Sequence, residues 1–167
     1  MQEKLTENDV KKIQAEIEHR KLVVRKEAIE AVKEARAQGD LSENFEYYAA
    51  KRDKNKNESR IRYLERMLKT AEIVSDESKN DEVGINNAVE IYFISDETTE
   101  KYKLVTSVRG NSLGGYISIE SPLGKAIVGH KAGDVVTVKV NDSISYDVEI
   151  KSIDKSLDDE NDSIRSF

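Results

Sequence analysis

Apolar residues in the first 75 positions recur at helical spacing. Val10, Ile13, Ile17, Val24, Ala28, Ala31 and Ala35 fall three, four or seven apart, and Leu22, Ile29 and Val32 widen the stripe. Thr6-x-x-Asp9 stands just ahead of it and predicts a capping box, in which each side chain satisfies the other residue's backbone N–H. A second stripe is stricter. Tyr47, Ala50, Lys54, Asn57, Ile61, Leu64, Leu68 and Ala71 alternate spacings of three and four without a break. That is a heptad seam, and its polar members Lys54 and Asn57 are expected to set pairing register. Gly39 is the only glycine of residues 1–75, which contain no proline. Two long amphipathic helices around a short glycine-containing connection predict an antiparallel coiled-coil hairpin. Each arm of about 30 residues would run roughly 45 Å. Neither narrow stripe buries enough surface alone, so each helix needs the other.

The pattern then changes period. Val89, Ile91 and Phe93 mark a strand, and Tyr102 and Leu104 mark another after the turn Asp96-Glu97-Thr98-Thr99. Tyr116 to Glu120 follows Gly114-Gly115. Val136, Val138 and Val140 precede a turn at Asn141-Asp142, and Tyr146, Val148 and Ile150 follow it. Pro122 to Val128 has proline at its start and Gly129 at its end, the signature of a short helix. Several hairpin-connected strands with one short helix predict a small α+β domain. The expected division is a hairpin over 1–75 with its tip at 39–44, a polar linker over 76–81, a sheet domain over 82–155 and an acidic, flexible tail over 156–167.

Composition narrows the chemistry. The 167 residues include no Cys and two His, His19 and His130, which excludes disulfides, thiolate sites, Cys nucleophiles and a His-rich metal cage. No apolar run approaches the ~18 residues of a membrane span and no signal core opens the chain, so a soluble cytoplasmic protein without a membrane partner is expected. The net charge of −6 divides unevenly: residues 1–75 hold 17 Lys+Arg against 15 Asp+Glu, and the remainder holds 10 against 18. The acidity argues against a general nucleic-acid coat but leaves room for a local basic face. Residues 51–66 supply one, with Lys51, Arg52, Lys54, Lys56, Arg60, Arg62 and Arg66 against three acids. They are either a solvated helix face or a sequence-blind attractor of phosphates. No phosphate-binding loop or nucleophile triad is present: Gly124-Lys125-Ala126 lacks the required spacing, and Ser118 and Ser121 lack His/Asp partners.

The hairpin tip reads Gly39-Asp40-Leu41-Ser42-Glu43-Asn44. It can be read as capping alone, with Gly39 at C′, Asp40 as N-cap of the second helix and Glu43 as its N3 partner. It can also be read as two carboxylates delivered at the end of a long rod. Mg²⁺ wants octahedral oxygen ligation, and two exposed acids near a positive helix N-terminus hold it poorly alone. A partner would have to complete the site, so the chain is not expected to be an enzyme by itself.

Gly39 through Lys51, reading GDLSENFEYYAAK, resembles the tip signature of the bacterial Gre transcript-cleavage factors of GreA type, with Glu34-Ala35-Arg36 matching just before it. Ile117 to Ala126 and Gly129 to Asp134 resemble that family's C-terminal signature, and the likeness covers most of residues 5–153. The resemblance implies an FKBP-like C-terminal domain that docks on RNA polymerase, and a hairpin that enters the secondary channel to reach the nascent RNA 3′ end. Residue by residue it implies Asp40 and Glu43 as the acids that share Mg²⁺ with the polymerase, Arg36, Lys51 and Arg52 as the phosphate-facing cations, and Ser121, Pro122, Leu123 and Gly124 as the docking segment. No cofactor bound alone and no small-molecule substrate is implied. The chain departs from the pattern at Lys26 (often Pro), Phe45 (usually Ala), Tyr48 (usually His), Asn141-Asp142-Ser143 (a Pro-Gly-Gly turn), Thr106 to Ser112, and the tail after Ile153.

The expected function is that of an elongation factor that rescues backtracked polymerase by stimulating its intrinsic RNA cleavage. One alternative is a channel-binding regulator without cleavage. Another is prolyl isomerase or chaperone activity, which needs an aromatic-lined pocket; residues 82–155 hold no Trp and a single Phe, Phe93.

Overall fold

The computed structural model describes residues 2–39, 44–110 and 114–166. Two compact units emerge. One comprises Met1–Gln2 and Val10–Ala71, the other Glu3–Asp9 and Glu72–Phe167. Residues 3–9 therefore group with the sheet rather than with the hairpin in which the sequence places them. Strand β1 (Lys4–Leu5) pairs in parallel with β2 (Glu72–Ile73), which holds this N-terminal segment there.

The helical unit contains α1 (Glu7–His19) from Val10 onward, a π-helical turn (Arg20–Val24), α2 (Arg25–Ala37) and α3 (Phe45–Thr70). The Thr6–Asp9 box forms as expected: the Thr6 N–H donates to Asp9 Oδ2 at 3.1 Å and the Asp9 N–H to Thr6 Oγ1 at 3.2 Å. Each of the eight seam positions of α3 is buried or half-buried. Ile61 and Leu64 are sealed from solvent, as is Ile13 of α1, and Met67 joins them.

The first arm departs from a regular helix where the sequence shows no glycine or proline. The Arg25 N–H bonds to the Arg20 carbonyl, five residues back, instead of four. Asn57 Nδ2 donates to that carbonyl at 3.2 Å, while Asn57 Oδ1 accepts from the Arg20 guanidinium at 3.0 Å. The partner arm thus reaches into the ladder, a common cause of such bulges. The wider turn shifts the apolar phase. Leu22 and Ile29, expected to widen the core stripe, are 64% and 37% exposed.

Arg60 leaves the expected basic face in the same way. It is 6% exposed and donates through Nε to Glu16 Oε2 at 2.9 Å. Burial raises the Glu16 pKa, but hydrogen bonds from Arg60 and Arg20 more than offset this and hold it below the usual carboxylate range. Arg25 grips Glu58 with two bonds of 2.9 Å, so these cations hold the arms together rather than facing a ligand.

The second unit is built on a five-stranded sheet in the order β6 (Tyr116–Ser118), β4 (Thr98–Val105), β3 (Ala88–Phe93), β8 (Ser145–Asp154), β7 (Val135–Lys139). Its antiparallel pairs match the alternating pattern: Val136 and Val138 are buried between exposed neighbours, and Val89, Ile91, Val148 and Ile150 join them in the core. The expected hairpin succession breaks once. β4 and β6 are parallel, and the chain between them passes through β5 (Arg109–Gly110). Helix α4 (Pro122–Ile127) packs on β6 and β7 and buries Leu123 and Ile127 in the same core.

The tail corrects an expectation. Residues 156–166 are not a loose end: β9 (Ser163–Ile164) pairs antiparallel with β5. Asp162 bonds to Tyr116 and to Lys103 Nζ, the latter at 3.0 Å. Asp159 and Asp162 face Arg109, whose side chain is wholly buried and whose nearest carboxylate is Asp9, at 2.8 Å. Two of the acids of this run, Asp159 and Asp162, are counter-charge for one buried guanidinium.

Candidate functional site

The open end of the hairpin lies between Gly39 and Asn44. Gln38 is the C-cap of α2 and Gly39 follows at φ +134, a conformation side chains resist. Gly39 thus sits at C′, as expected. The start of α3 differs from expectation. Its N-cap is Asn44, whose Oδ1 accepts from the Tyr47 N–H at 3.0 Å. Asn44 Nδ2 donates to the Ala35 carbonyl at 2.5 Å, so one side chain both caps α3 and ties it to the end of α2. Asp40 is therefore not the N-cap of this helix, nor Glu43 its N3 residue. Asp40 and Glu43 themselves lie outside the described residues.

Three side chains next to the tip are those the resemblance implies to face RNA phosphates. Arg36 is exposed but committed: its guanidinium sits 5.6 Å from the Tyr47 ring centroid. Its hydrogen bond to the Tyr47 hydroxyl holds that phenol below its ordinary pKa. Lys51 and Arg52 are exposed on α3 and make no ion pair among the described residues. Phe45 and Tyr48 stand beside them, 85% and 47% exposed. The Tyr47 and Tyr48 rings meet edge-on at 5.4 Å.

In the second unit the four residues of the expected docking segment divide by burial. Ser121 is the N-cap of α4, its Oγ accepting from the Gly124 N–H at 3.1 Å. Pro122 is exposed at N1, whereas Leu123 and Gly124 face inward. A Cβ on Gly124 would lie 2.0 Å from the Ser118 carbonyl oxygen, so glycine is a packing requirement there. Pro122 is the member of the segment that offers surface. A cleft of about 440 Å³ opens beside α4, with Lys4, Val74, Val83, Ile119 and Lys125 in its wall. That lining is aliphatic and charged, unlike the aromatic pocket an isomerase would use.

Two family models cover nearly the whole chain. "Transcription elongation factor, N-terminal" matches residues 3–73, and "Transcription elongation factor, GreA/GreB, C-term" matches residues 77–155. The chain belongs to the GreA/GreB transcription elongation factor family. Its relatives include transcription elongation factor GreA of Streptococcus gordonii, 42% identical over 91% of this chain and 95% of that protein. GreA of Thermoanaerobacter pseudethanolicus is 44% identical over 81% of this chain and 87% of its own length. Among solved structures, the transcription factor Gfh1 is 26% identical over 92% of this chain and 97% of that one, with a TM-score of 0.45.

The GreA/GreB matches end at residue 155, so the carboxylates of Asp159 and Asp162 lie beyond the family models. Sequence reasoning missed Asn44 as the cap, although an Asn placed three residues before the first seam residue, Tyr47, was a usable signal. It also missed the Arg36–Tyr47 pairing, which no local spacing reveals. Among the described residues no cluster of three or more His, Cys, Asp or Glu could hold a metal, and no helix is long and apolar enough to cross a membrane.

Proposed function

We propose that this chain binds RNA polymerase through its secondary channel and stimulates the polymerase's own hydrolysis of backtracked RNA. The chain would act in trans, with the nascent RNA 3′ end as substrate and the polymerase as enzyme. The supporting observation is the Asn44 cap. Asn44, not Asp40, holds the N-cap position of α3.

The donor chemistry fits a shared Mg²⁺. Two carboxylates are hard oxygen ligands, too few for an octahedral site, so the polymerase would complete it. When bound, the ion supplies Lewis-acid activation of water and of the leaving oxygen. Asp40 and Glu43 would hold and orient it, and Lys51 and Arg52 would attract the extruded phosphates. Pro122 would contribute to docking from the second unit, with Ser121 fixing the turn that presents it.

The 85% exposure of Phe45 favours one second reading. A bulky ring beside the tip would suit a factor that occupies the channel without promoting cleavage. Adding the full chain to a stalled, backtracked elongation complex with Mg²⁺ separates the two. Shortened RNA supports the factor; association without shortening supports the blocker; neither outcome overturns both.

A further inference from the structure

Arg109 is wholly buried, yet the groups it bonds to come from the body of the second unit and not from the tail. It donates through Nε to Asp9 at 2.8 Å, through Nη1 to Asn86 Oδ1, and through Nη2 to Thr6 Oγ1 at 3.3 Å. The tail carboxylates stand further off, Asp162 at 3.5 Å and Asp159 at 3.7 Å. The guanidinium therefore keeps a hydrogen-bonded seat without the tail, and the tail adds charge to it. The remaining tail contacts are those of a docked strand. β9 lies antiparallel to β5 over two residues, and the Arg165 N–H donates to the Val108 carbonyl at 2.8 Å. The two backbones come close at Gly110, where a Cβ would stand 3.3 Å from the Arg165 Cα. Lys103 Nζ donates to Asp162 at 3.0 Å and to the Asp158 carbonyl at 2.5 Å, Tyr116 donates to Asp162, and Asn8 Nδ2 donates to Asp159 at 3.3 Å. Of the described apolar side chains of the tail, Leu157 is 43% exposed and Ile164 half-buried. Charge and backbone bonds hold the tail, not core packing.

We propose that β5, Arg109, Lys103 and Tyr116 form a receptor for an extended acidic peptide that adds as a strand to β5, and that the chain's own tail is its resident, releasable occupant. A segment that presents two carboxylates three residues apart and continues as a strand fits this surface. The carboxylates meet the two cations and the tyrosine hydroxyl, and backbone pairing fixes the direction of the strand. Charge complementarity selects it over a neutral strand, which would cover Lys103 and Arg109 without supplying counter-charge. The tail follows β8 directly, which ends at Asp154, so the short tether keeps it at an effective concentration on the order of mM. An acidic segment of a partner chain enters when the tail opens locally. The inference goes beyond the role proposed at the polymerase and uses no residue of the hairpin tip.

The test uses the full chain without polymerase, titrated into a fluorescein-labelled peptide of residues 156–167. In the parent the tethered tail competes with the peptide. Asp159→Asn with Asp162→Asn weakens that tail and leaves every side chain of the receptor in place. The peptide is expected to bind this variant about tenfold more tightly than the parent, with affinity falling as salt rises. A peptide carrying the same two substitutions is expected to bind the variant about tenfold more weakly. Equal binding of the peptide to parent and variant overturns the receptor, as does no binding to a variant that melts cooperatively. Displacement by inorganic phosphate as readily as by unlabelled peptide shows a bare anion site and overturns the strand. A second measurement needs no variant. In the parent, the Arg165 amide is expected to exchange with solvent at least about tenfold faster than the amides of the central strand β3, through local opening of the tail. Exchange of both only through global unfolding overturns a releasable tail.

Discussion

Asn44 Nδ2 donates to the Ala35 carbonyl at 2.5 Å, joining the start of the second arm of the hairpin to the end of the first. The same side chain caps α3 through Oδ1. Removing it should therefore loosen the tip and leave the sheet untouched. Asn44→Ala is expected to cost about 1 kcal/mol, the usual value of an N-cap. Asn44→Asp keeps the acceptor and should recover most of that loss. Thermal melts and hydrogen exchange at the Tyr47 amide measure both. Unaltered exchange in Asn44→Ala would show that the cap contributes nothing.

Ending the chain after Lys155 removes Asp159 and Asp162 from the buried Arg109 and leaves it with Asp9. Because Asp9 keeps the guanidinium paired, the second unit is expected to lose less than the ~3–5 kcal/mol that follows when a buried charge is left with no partner. A truncated chain that melts with the parent would return the tail to a passive role.

The same cluster sets two pH edges. Burial raises the Asp162 pKa, but hydrogen bonds from Tyr116 and Lys103 lower it further, leaving it below its ordinary value. Its stabilisation is present above the unfolded carboxylate pKa and is lost as pH falls through the folded one. Tyr116 is pushed up to about 12, by burial and then by its bond to Asp162. Its stabilisation is present below the unfolded value of about 10 and is lost as pH rises toward 12. Melts across pH should show a plateau between these edges. Tyr116→Phe should flatten the alkaline side and, because the hydroxyl donates to Asp162, also weaken the acid edge, which Lys103 then sustains. An alkaline slope unchanged in Tyr116→Phe would contradict this assignment.

Gly124→Ala sets a methyl group against the Ser118 carbonyl and should cost about 1–3 kcal/mol through forced backbone shifts. A loss of polymerase association in that variant would then report on folding. Pro122→Ala, at an exposed N1 position, is the cleaner probe of docking: it should weaken association while melting near the parent. Loss of stability in Pro122→Ala comparable to Gly124→Ala would leave no separate docking role for the proline.

What the sequence makes legible here is what local periodicity encodes. The α3 seam, the Thr6–Asp9 box, the Ser121–Pro122 helix start and the strand alternation each depend on neighbours within a few residues. The parts that stayed hidden depend on distant ones. The π turn at Arg20 answers to Asn57, and the pairing of the tail answers to Arg109, which in turn needs Asp9. Lone charged residues in a polar run carry no mark of burial, so Arg60 read as surface and Asp162 as disorder. At the tip, the acids and cations could be named from the sequence, but the bond from Asn44 to the Ala35 carbonyl, which ties the cap of α3 to the end of α2, leaves no local mark.

On the proposed function the tip acids act in RNA cleavage and not in folding. A carboxylate about 4 Å from a cation contributes about 4 kcal/mol per unit charge pair at an effective dielectric near 20. If about 3 kcal/mol of this is specific to the transition state, its loss slows cleavage about a hundredfold. The direct measurement is the cleavage rate of a backtracked elongation complex against Mg²⁺ concentration, for the parent, Asp40→Asn and Glu43→Gln, with thermal melts alongside. Each variant is expected to melt with the parent and compete for polymerase, yet cleave about a hundredfold more slowly, with partial recovery at high Mg²⁺. Full cleavage by Asp40→Asn, or activity lost only in proportion to stability, would contradict the claim.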